Sequence, residues 1–198
     1  LQKQIYLTIH RFCEYYAETY FKIVKEAILA SDPNHMYLGS RLHRVATFVP
    51  EIWEAAGKWV DVIAYNMNRE WGPPYEQMDQ WATASGKPFL ITEWYAKGMD
   101  TGMGNTSGWG WTVKTQKARA EYYETTTLKL LSHPACVGWH WLKYMDNDPS
   151  SGNTTGSEVD SNKGIMNNRY VPYTGFLSRM KQINKNVYGL IEHFDKNQ

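Results

Sequence analysis

The sequence predicts an α/β fold in which buried strands alternate with helices. Three observations lead to this prediction: an amphipathic pattern covers residues 5–30, four short apolar runs bounded by turn residues follow it, and helical patterns separate those runs. Alternation of this kind is typical of right-handed βαβ units and a parallel sheet. Four such units correspond either to half of an eight-unit barrel or to a small open sheet.

The predicted helices and strands alternate along the chain, with two long loops in its second half. The turn Asp32-Pro33-Asn34 ends the first helix, and Pro50 begins the second because proline is preorganised for a first helical turn. The predicted strands cover residues 35–41, 59–66, 88–93 and 136–144, and the predicted later helices cover residues 50–58, 75–84, 114–132 and 173–184. The segments 99–112 and 146–163 are predicted loops.

Length and charge limit the possible functions. The chain has 198 residues, enough for one domain with a real core, and 21 Lys and Arg against 20 Asp and Glu give a formal charge of +1. This balance argues against nucleic acid or an acidic membrane surface as a partner, and no apolar segment is long enough to span a membrane. The start Leu1-Gln2-Lys3 lacks a methionine, so we expect the chain to be part of a larger protein.

Aromatic residues are the unusual component of the sequence. It contains 9 Trp, 14 Tyr and 6 Phe, and side chains with flat rings and a polar edge suit the binding of sugars. Cys13 lies in a helical pattern and Cys136 at the start of a strand, which predicts two buried thiols rather than a disulfide. No CxxC pair, His cluster or Gly-rich phosphate loop occurs, so we expect neither a catalytic metal nor a cofactor.

Glu93 is the principal candidate for a catalytic residue. It follows the apolar run Pro88-Phe89-Leu90-Ile91 and precedes two aromatic residues, so it lies where a buried strand leaves the sheet. In an α/β barrel that edge carries the catalytic residues. A buried carboxylate is costly unless it is paired or hydrogen-bonded, and the alternative is a capping or salt-bridged Glu in a loop.

Four motifs in order resemble strand ends of agarase-type glycoside hydrolases of clan A. Residues 32–41 are similar to the fifth strand of that family, 61–66 to the sixth, Pro88–Glu93 to the seventh with its nucleophile, and 137–146 to the eighth. The resemblance covers residues 20–184. It implies that residues 1–198 form the C-terminal half of a (β/α)8 TIM barrel, with Glu93 as the nucleophile.

One departure from the family pattern concerns the general acid/base. In the family this residue belongs to an Asn-Glu pair at the end of the fourth strand, and no Asn-Glu dipeptide occurs here. Retaining glycosidases need two carboxyl groups about 5–5.5 Å apart. We therefore expect the acid/base to lie upstream of this chain and the isolated fragment to be inactive. If the fragment were self-sufficient, Glu70 would be the alternative carboxylate.

The other candidate site residues would bind substrate. Tyr65 could donate its hydroxyl to Glu93, as the resemblance suggests, or be a core-edge tyrosine; Arg41 could hold sugar hydroxyls or form a structural ion pair. Trp141 is the candidate stacking platform and shares a strand face with Trp139, although both could instead fill the core. Trp109 and Trp111 could line outer subsites or pin their loop. Further candidates are His43, Asn66, Tyr144, Asp146 and His140. Of these, His140 is better explained as a core histidine.

The resemblance to agarase-type enzymes, together with these residues, implies a retaining hydrolase of β-galactosidic linkages in a galactan such as agarose or porphyran. A β-galactosidase or carrageenan hydrolase of the same clan is one alternative, and a non-catalytic carbohydrate-binding piece is the other. We expect an extracellular or cell-surface location from the substrate class. Unpaired strand edges and exposed apolar side chains of a half-barrel predict that the chain pairs with its missing N-terminal half or with a second copy.

Overall fold

The computed structural model describes residues 2–43, 46, 49–68, 71–106, 108–150 and 159–197. Its helices are α1 (Gln2–Ser31), α2 (Pro50–Gly57), α3 (Tyr75–Ser85), α4 (Gln116–Leu131), α5 (Thr174–Lys185) and α6 (Val187–Asp195), and its strands are β1 (Ile63–Asn66), β2 (Phe89–Trp94), β3 (Ala96–Gly98), β4 (Trp111–Val113) and β5 (Cys136–Trp141). The chain divides into unit 1 (Leu1–Asn66, Pro74–Thr92, Ala135–Trp139) and unit 2 (Met67–Pro73, Glu93–Pro134, His140–Gln198).

Three strands form a small parallel sheet with the order β1-β2-β5. Ile63 donates its backbone N–H to the Pro88 carbonyl at 2.9 Å, and Phe89 donates to the Ala135 carbonyl at 2.8 Å. All four residues of β1 are buried, as expected for a strand covered on both faces. The predicted α/β class is therefore confirmed, whereas the half-barrel stays a prediction.

The first predicted strand, residues 35–41, is wrong. The described segment contains no strand there, and only its successor Leu42 forms an isolated parallel bridge, with Tyr65. The reason lies at Gly39, whose φ of +69° interrupts an extended backbone. A Cβ atom at Gly39 would also lie 2.7 Å from Val60 Cγ1, so glycine is needed for packing as well as for conformation.

Aromatic rings fill the core of unit 1 between the sheet and the helices α2 and α3. Trp53 and Trp81 are stacked, with centroids 5.8 Å apart and an interplanar angle of 6°. Phe89 meets Trp81 edge-on at 5.5 Å. These rings join α2, α3 and β2, and burying each of them removes a large apolar area from water.

Unit 2 is built on α4, α5, α6 and the short parallel pair β3–β4. Thr115 caps α4 by accepting the Ala118 N–H at 3.1 Å. Trp94 stacks on Tyr123 at 5.4 Å and meets Trp141 edge-on at 5.0 Å, which ties β2, α4 and β5 together. The predicted loop at residues 99–112 is partly wrong, because it ends in β4, and α6 was not predicted.

The helix α1 exposes most of its apolar side chains. Only Ala17 and Phe21 of its 30 residues are buried. Large exposed residues include Ile5, Tyr6, Leu7, Ile9, Phe12, Tyr15, Tyr16, Tyr20, Ile23 and Leu29. Although α1 carries many apolar side chains, no helix among the described residues is long and apolar enough to cross a membrane.

Replacement of Gly39 by alanine tests the account of the irregular segment before β1. Gly39 and Gly86 both have positive φ, +69° and +62°, but a Cβ at Gly86 has no atom within 4 Å. We expect Gly86→Ala to lower the free energy of unfolding by about 1–2 kcal/mol through backbone strain alone. Gly39→Ala should cost roughly 1–3 kcal/mol more because of the clash with Val60. Urea denaturation would measure both, and equal losses would contradict the packing argument.

Candidate functional site

Glu93 lies one residue before the end of β2 and is half-buried. Its carboxylate oxygen Oε1 accepts a hydrogen bond from Asn68 Nδ2 at 3.2 Å. Its backbone carbonyl accepts the N–H of Met67 at 2.8 Å. The two contacts fix both the main chain and the side chain of Glu93 against the segment that follows β1.

Asn68 is a contact of Glu93 that the sequence interpretation missed. Its Oδ1 is buried and has no hydrogen-bond partner among the described residues, while its Nδ2 faces Glu93. A carboxylate accepts hydrogen bonds only, so the amide must turn its NH₂ group toward Glu93. The signal that could have identified Asn68 is its position two residues after β1, the neighbour of β2 in the sheet.

Asn66 and Thr92 connect the ends of β1 and β2 within unit 1. The Thr92 hydroxyl lies 2.8 Å from Asn66 Oδ1 and 3.0 Å from the Tyr65 carbonyl oxygen. Asn66 is only 8% exposed. Its predicted contact with substrate stays a prediction, and the structure adds a function for its amide oxygen in holding the strand ends together.

Tyr65 is buried in the aromatic core of unit 1. Its ring centroid lies 4.3 Å from that of Trp81 and 5.8 Å from that of Trp53. The ring therefore packs on the residues of α2 and α3. The predicted hydrogen bond from its hydroxyl to Glu93 stays a prediction.

Arg41 and His43 are exposed on either side of the buried Leu42. Leu42 exchanges backbone hydrogen bonds with the β1 strand, donating to Ala64 at 2.8 Å and accepting from Asn66 at 2.9 Å. Side chains two residues apart on extended backbone share a side, so this bridge presents Arg41 and His43 together. Arg44, which follows them, lies outside the described residues.

Trp141 belongs to the aromatic cluster of unit 2. It is half-buried, donates its indole N–H to the Lys163 carbonyl at 2.8 Å, and lies 4.9 Å from the Phe176 ring. These contacts hold the indole in one orientation, and its stacking on a sugar stays a prediction. Trp139 is half-buried, whereas His140 is exposed, so the interpretation of His140 as a core histidine is wrong. In the described sheet β5 is an edge strand, which leaves its side chains less covered.

The remaining aromatic candidates belong to unit 2. The backbone N–H of Trp109, which is half-buried, donates to the Tyr95 hydroxyl at 2.8 Å. Trp111 is 42% exposed and Tyr144 is 64% exposed. All three have positions from which a ligand could be contacted, but their substrate contacts stay predictions.

Asp146 is a structural centre of unit 2. Its side chain is buried, Oδ1 accepts the N–H groups of Lys163 and Gly164 at 2.8 and 2.6 Å, and Oδ2 accepts from Asn162 Nδ2 at 2.9 Å and the Tyr173 hydroxyl at 2.6 Å. Four donors compensate the desolvation of the carboxylate. The arrangement explains Asp146 as the organiser of the return segment 161–164. Glu70, the other alternative carboxylate, lies outside the described residues.

Arg119 supports the same region from α4. It is fully buried, and its guanidinium donates to the carbonyls of Ala96 at 2.9 Å and Gly164 at 3.0 Å. Burial lowers the pKa of Arg119 to about 10, which leaves it charged at neutral pH, and the negative charge of Asp146 partly opposes that shift. Its guanidinium also lies 4.5 Å from the Phe176 ring centroid, a cation–π contact.

The two cysteines are free thiols and half-buried. Burial raises the pKa of Cys136 to about 11, since removal from water disfavours the thiolate. This thiol is consequently a poor nucleophile at neutral pH.

No family model matches the chain. Beta-agarase A of Vibrio sp. (strain JT0107) is 30% identical over 182 residues, which are 88% of this chain and 17% of that protein. The chain is homologous to β-agarases. It spans about a sixth of the length of this curated relative.

Solved structures extend the similarity to the fold. The crystal structure of BpGH50 has a sequence 41% identical to this chain, with a TM-score of 0.85 over 94% of this chain and 39% of its own. The structure of an exo-beta-agarase is 29% identical, with a TM-score of 0.75 over 90% of this chain and 23% of its own. The predicted resemblance to agarase-type glycoside hydrolases is therefore confirmed at the level of homology, and the α/β fold is shared.

Asp146→Asn tests the structural function of this carboxylate. The substitution conserves volume but turns an NH₂ group toward other donors and removes the charge, so we expect a loss of roughly 3–5 kcal/mol in the free energy of unfolding. Asp148→Asn is the matched control, because Asp148 is exposed and, among the described residues, its hydrogen bonds go to Ser150 in its own turn. Urea denaturation of both variants would measure the difference, and a stable Asp146→Asn protein would disprove the assignment.

The Tyr173 hydroxyl predicts a dependence of stability on alkaline pH. Burial, followed by the hydrogen bond to Asp146, raises the pKa of Tyr173 above its ordinary value of 10.0. Above that pH the unfolded chain loses this proton while the folded chain keeps it, so the stabilisation is complete below pH 10.0 and is lost as pH rises through the raised pKa. The difference in unfolding free energy between parent and Tyr173→Phe should be constant below that pH and shrink above it. A constant difference at all pH values would contradict the raised pKa.

Proposed function

We propose that the chain is part of a retaining glycoside hydrolase that cleaves β-galactosidic linkages in a galactan such as agarose or porphyran. The observation that carries this proposal is the hydrogen bond from Asn68 to the half-buried Glu93 at the exit of β2. Homology to β-agarases supports the substrate class. Glu93 is the nucleophile.

In this mechanism Glu93 attacks the anomeric carbon of the galactose residue. A bond forms between a carboxylate oxygen and that carbon, the glycosidic bond breaks, and the leaving oxygen takes a proton from a second carboxylic acid. Water then attacks the anomeric carbon while it gives a proton to the same second group, and the bond to Glu93 breaks, which restores its carboxylate. Asn68 orients the ionised carboxylate through its amide N–H.

The second carboxyl group belongs to the rest of the protein. Because the chain spans 17% of the relative that it matches, a divided catalytic centre is consistent with this proposal. The chain then forms the C-terminal half of a (β/α)8 barrel and pairs with the upstream half or with a second copy. The exposed apolar side chains of α1 support such pairing.

Substrate binding in this proposal uses the predicted polar and aromatic residues. Arg41 and His43 present polar groups together on one side of a bridge to β1, and their exposure suits contact with sugar hydroxyls. Trp109, Trp111, Trp141 and Tyr144 provide rings, and Tyr65 and Asn66 lie at the β1 strand end. The location is extracellular or at the cell surface, where such polysaccharides occur, and neither a metal nor a cofactor is required.

A fluorinated galactoside with an activated aryl leaving group tests the nucleophile in the chain alone. Such a leaving group needs little acid assistance, and fluorine beside the anomeric carbon slows hydrolysis of the intermediate, so the label should accumulate on Glu93. Peptide mass spectrometry would locate it. Glu93→Gln should abolish labelling, whereas Glu121→Gln, a change of an exposed residue of α4, should not affect it.

Hydrolysis of agarose, porphyran and carrageenan distinguishes the alternatives. When the upstream half is supplied, Glu93→Gln should lower kcat on the order of a thousandfold or more. Activity on carrageenan or on simple β-galactosides alone would favour the related hydrolases of the same clan. Binding without hydrolysis and without labelling would favour a carbohydrate-binding piece, and a label on another residue would reject Glu93.

A further inference from the structure

Trp71 and Trp111 form an exposed pair of rings in unit 2, which we call the tryptophan corner. Their centroids lie 5.8 Å apart and their planes meet at 87°. Trp71 is 48% exposed and Trp111 is 42% exposed, so each ring offers a large area to a ligand. Trp111 was a predicted substrate residue, whereas nothing in the sequence interpretation assigned a function to Trp71.

The Trp71 ring is held in place by α4. Its neighbour Gly72 has a φ of +122°, and a Cβ atom there would lie 3.3 Å from Lys129 Cδ, so the backbone approaches the helix closely. The Trp71 ring rests on Tyr122, which is 1% exposed, with centroids 5.0 Å apart. Tyr122 and Lys129 are seven residues apart and share a face of α4. One helix face therefore fixes both the backbone and the ring.

Trp111 is held by the parallel pair of β3 and β4. In this pair Trp111 lies opposite Ala96, and Val113, two residues later, is buried. Ala96 follows Glu93 by three residues, so the backbone path from Glu93 to Trp111 is about 15 Å, from roughly 3.3 Å per residue and about 4.8 Å between strands. A polysaccharide chain bound at Glu93 could cover that distance with a few sugar residues.

We propose that the tryptophan corner is an outer subsite that binds the apolar faces of galactan sugar residues. This inference rests on the proposed function and extends it to a second place on the substrate chain. Two perpendicular, pre-ordered rings contact two faces of a saccharide at little cost in conformational entropy. An apolar protein segment is a poorer occupant, because the corner contains only two rings and its neighbours Thr112 and Lys114 are exposed and polar.

Affinity electrophoresis of the 198-residue chain in gels containing agarose, porphyran or a β-glucan tests this proposal without requiring catalysis. Trp71→Ala and Trp111→Ala should each weaken binding roughly threefold to tenfold, and the Phe variants should retain part of the affinity. Tyr188→Ala is the matched control, because Tyr188 is 80% exposed on α6 in the same unit, and it should not affect binding. Circular dichroism and thermal unfolding would confirm that the variants are folded.

The outcomes separate this proposal from the proposed function. Labelling of Glu93 together with unchanged binding by Trp71→Ala and Trp111→Ala would overturn the subsite and leave the hydrolase standing. Loss of binding in these variants without labelling of Glu93 would support the subsite and reject the nucleophile. Failure of the parent chain to bind any of the three polysaccharides would also overturn the subsite.

Discussion

The parallel pairing between the segment 63–67 and β2 is the constraint on which the candidate site depends. Ile63 donates a backbone hydrogen bond to Pro88, and Met67 donates to Glu93, which is one residue further along than an unbroken register would place the partner of Met67. Because side chains alternate along a strand, this shift of one residue decides which side chains of the two segments face each other. This alignment of the two strand ends brings Asn68 to Glu93 and Thr92 to Asn66. The catalytic proposal is thus a consequence of how two neighbouring strand ends are aligned.

Much of the α/β order was predictable, because the signals were local. Apolar runs located β1, β2 and β5, and proline or glycine marked the ends of α2 and α3, where Gly86 adopts the left-handed conformation after the helix. The error at residues 35–41 had a different cause. A single Gly39 breaks an otherwise strand-like run, and its packing against Val60 is a long-range contact that a sequence window does not contain.

The position of Glu93 near the end of β2 was predictable, whereas its contacts were less so. A carboxylate at a strand exit is a strong local signal, whereas the orientation of Asn68 depends on a pairing between distant segments. The function of Asp146 was equally hard to predict, because it depends on residues that are distant in the sequence. Its sequence context in a polar loop was compatible with catalysis, but its donors come from residues 162–164 and from Tyr173, and they give it a structural function. The number of hydrogen-bond donors that reach a buried carboxylate therefore indicates its function better than its residue type does.

The exposed apolar side chains of α1 have a thermodynamic consequence. A helix of 30 residues is about 45 Å long, and most of its large apolar side chains remain hydrated in the described structure. Hydrated apolar surface carries a high heat capacity, which falls when the surface is covered. Any association that covers α1 should thus have a distinctly negative heat capacity change, whatever its enthalpy at one temperature. Calorimetry at several temperatures would detect the covering of this helix even before the occupant is identified.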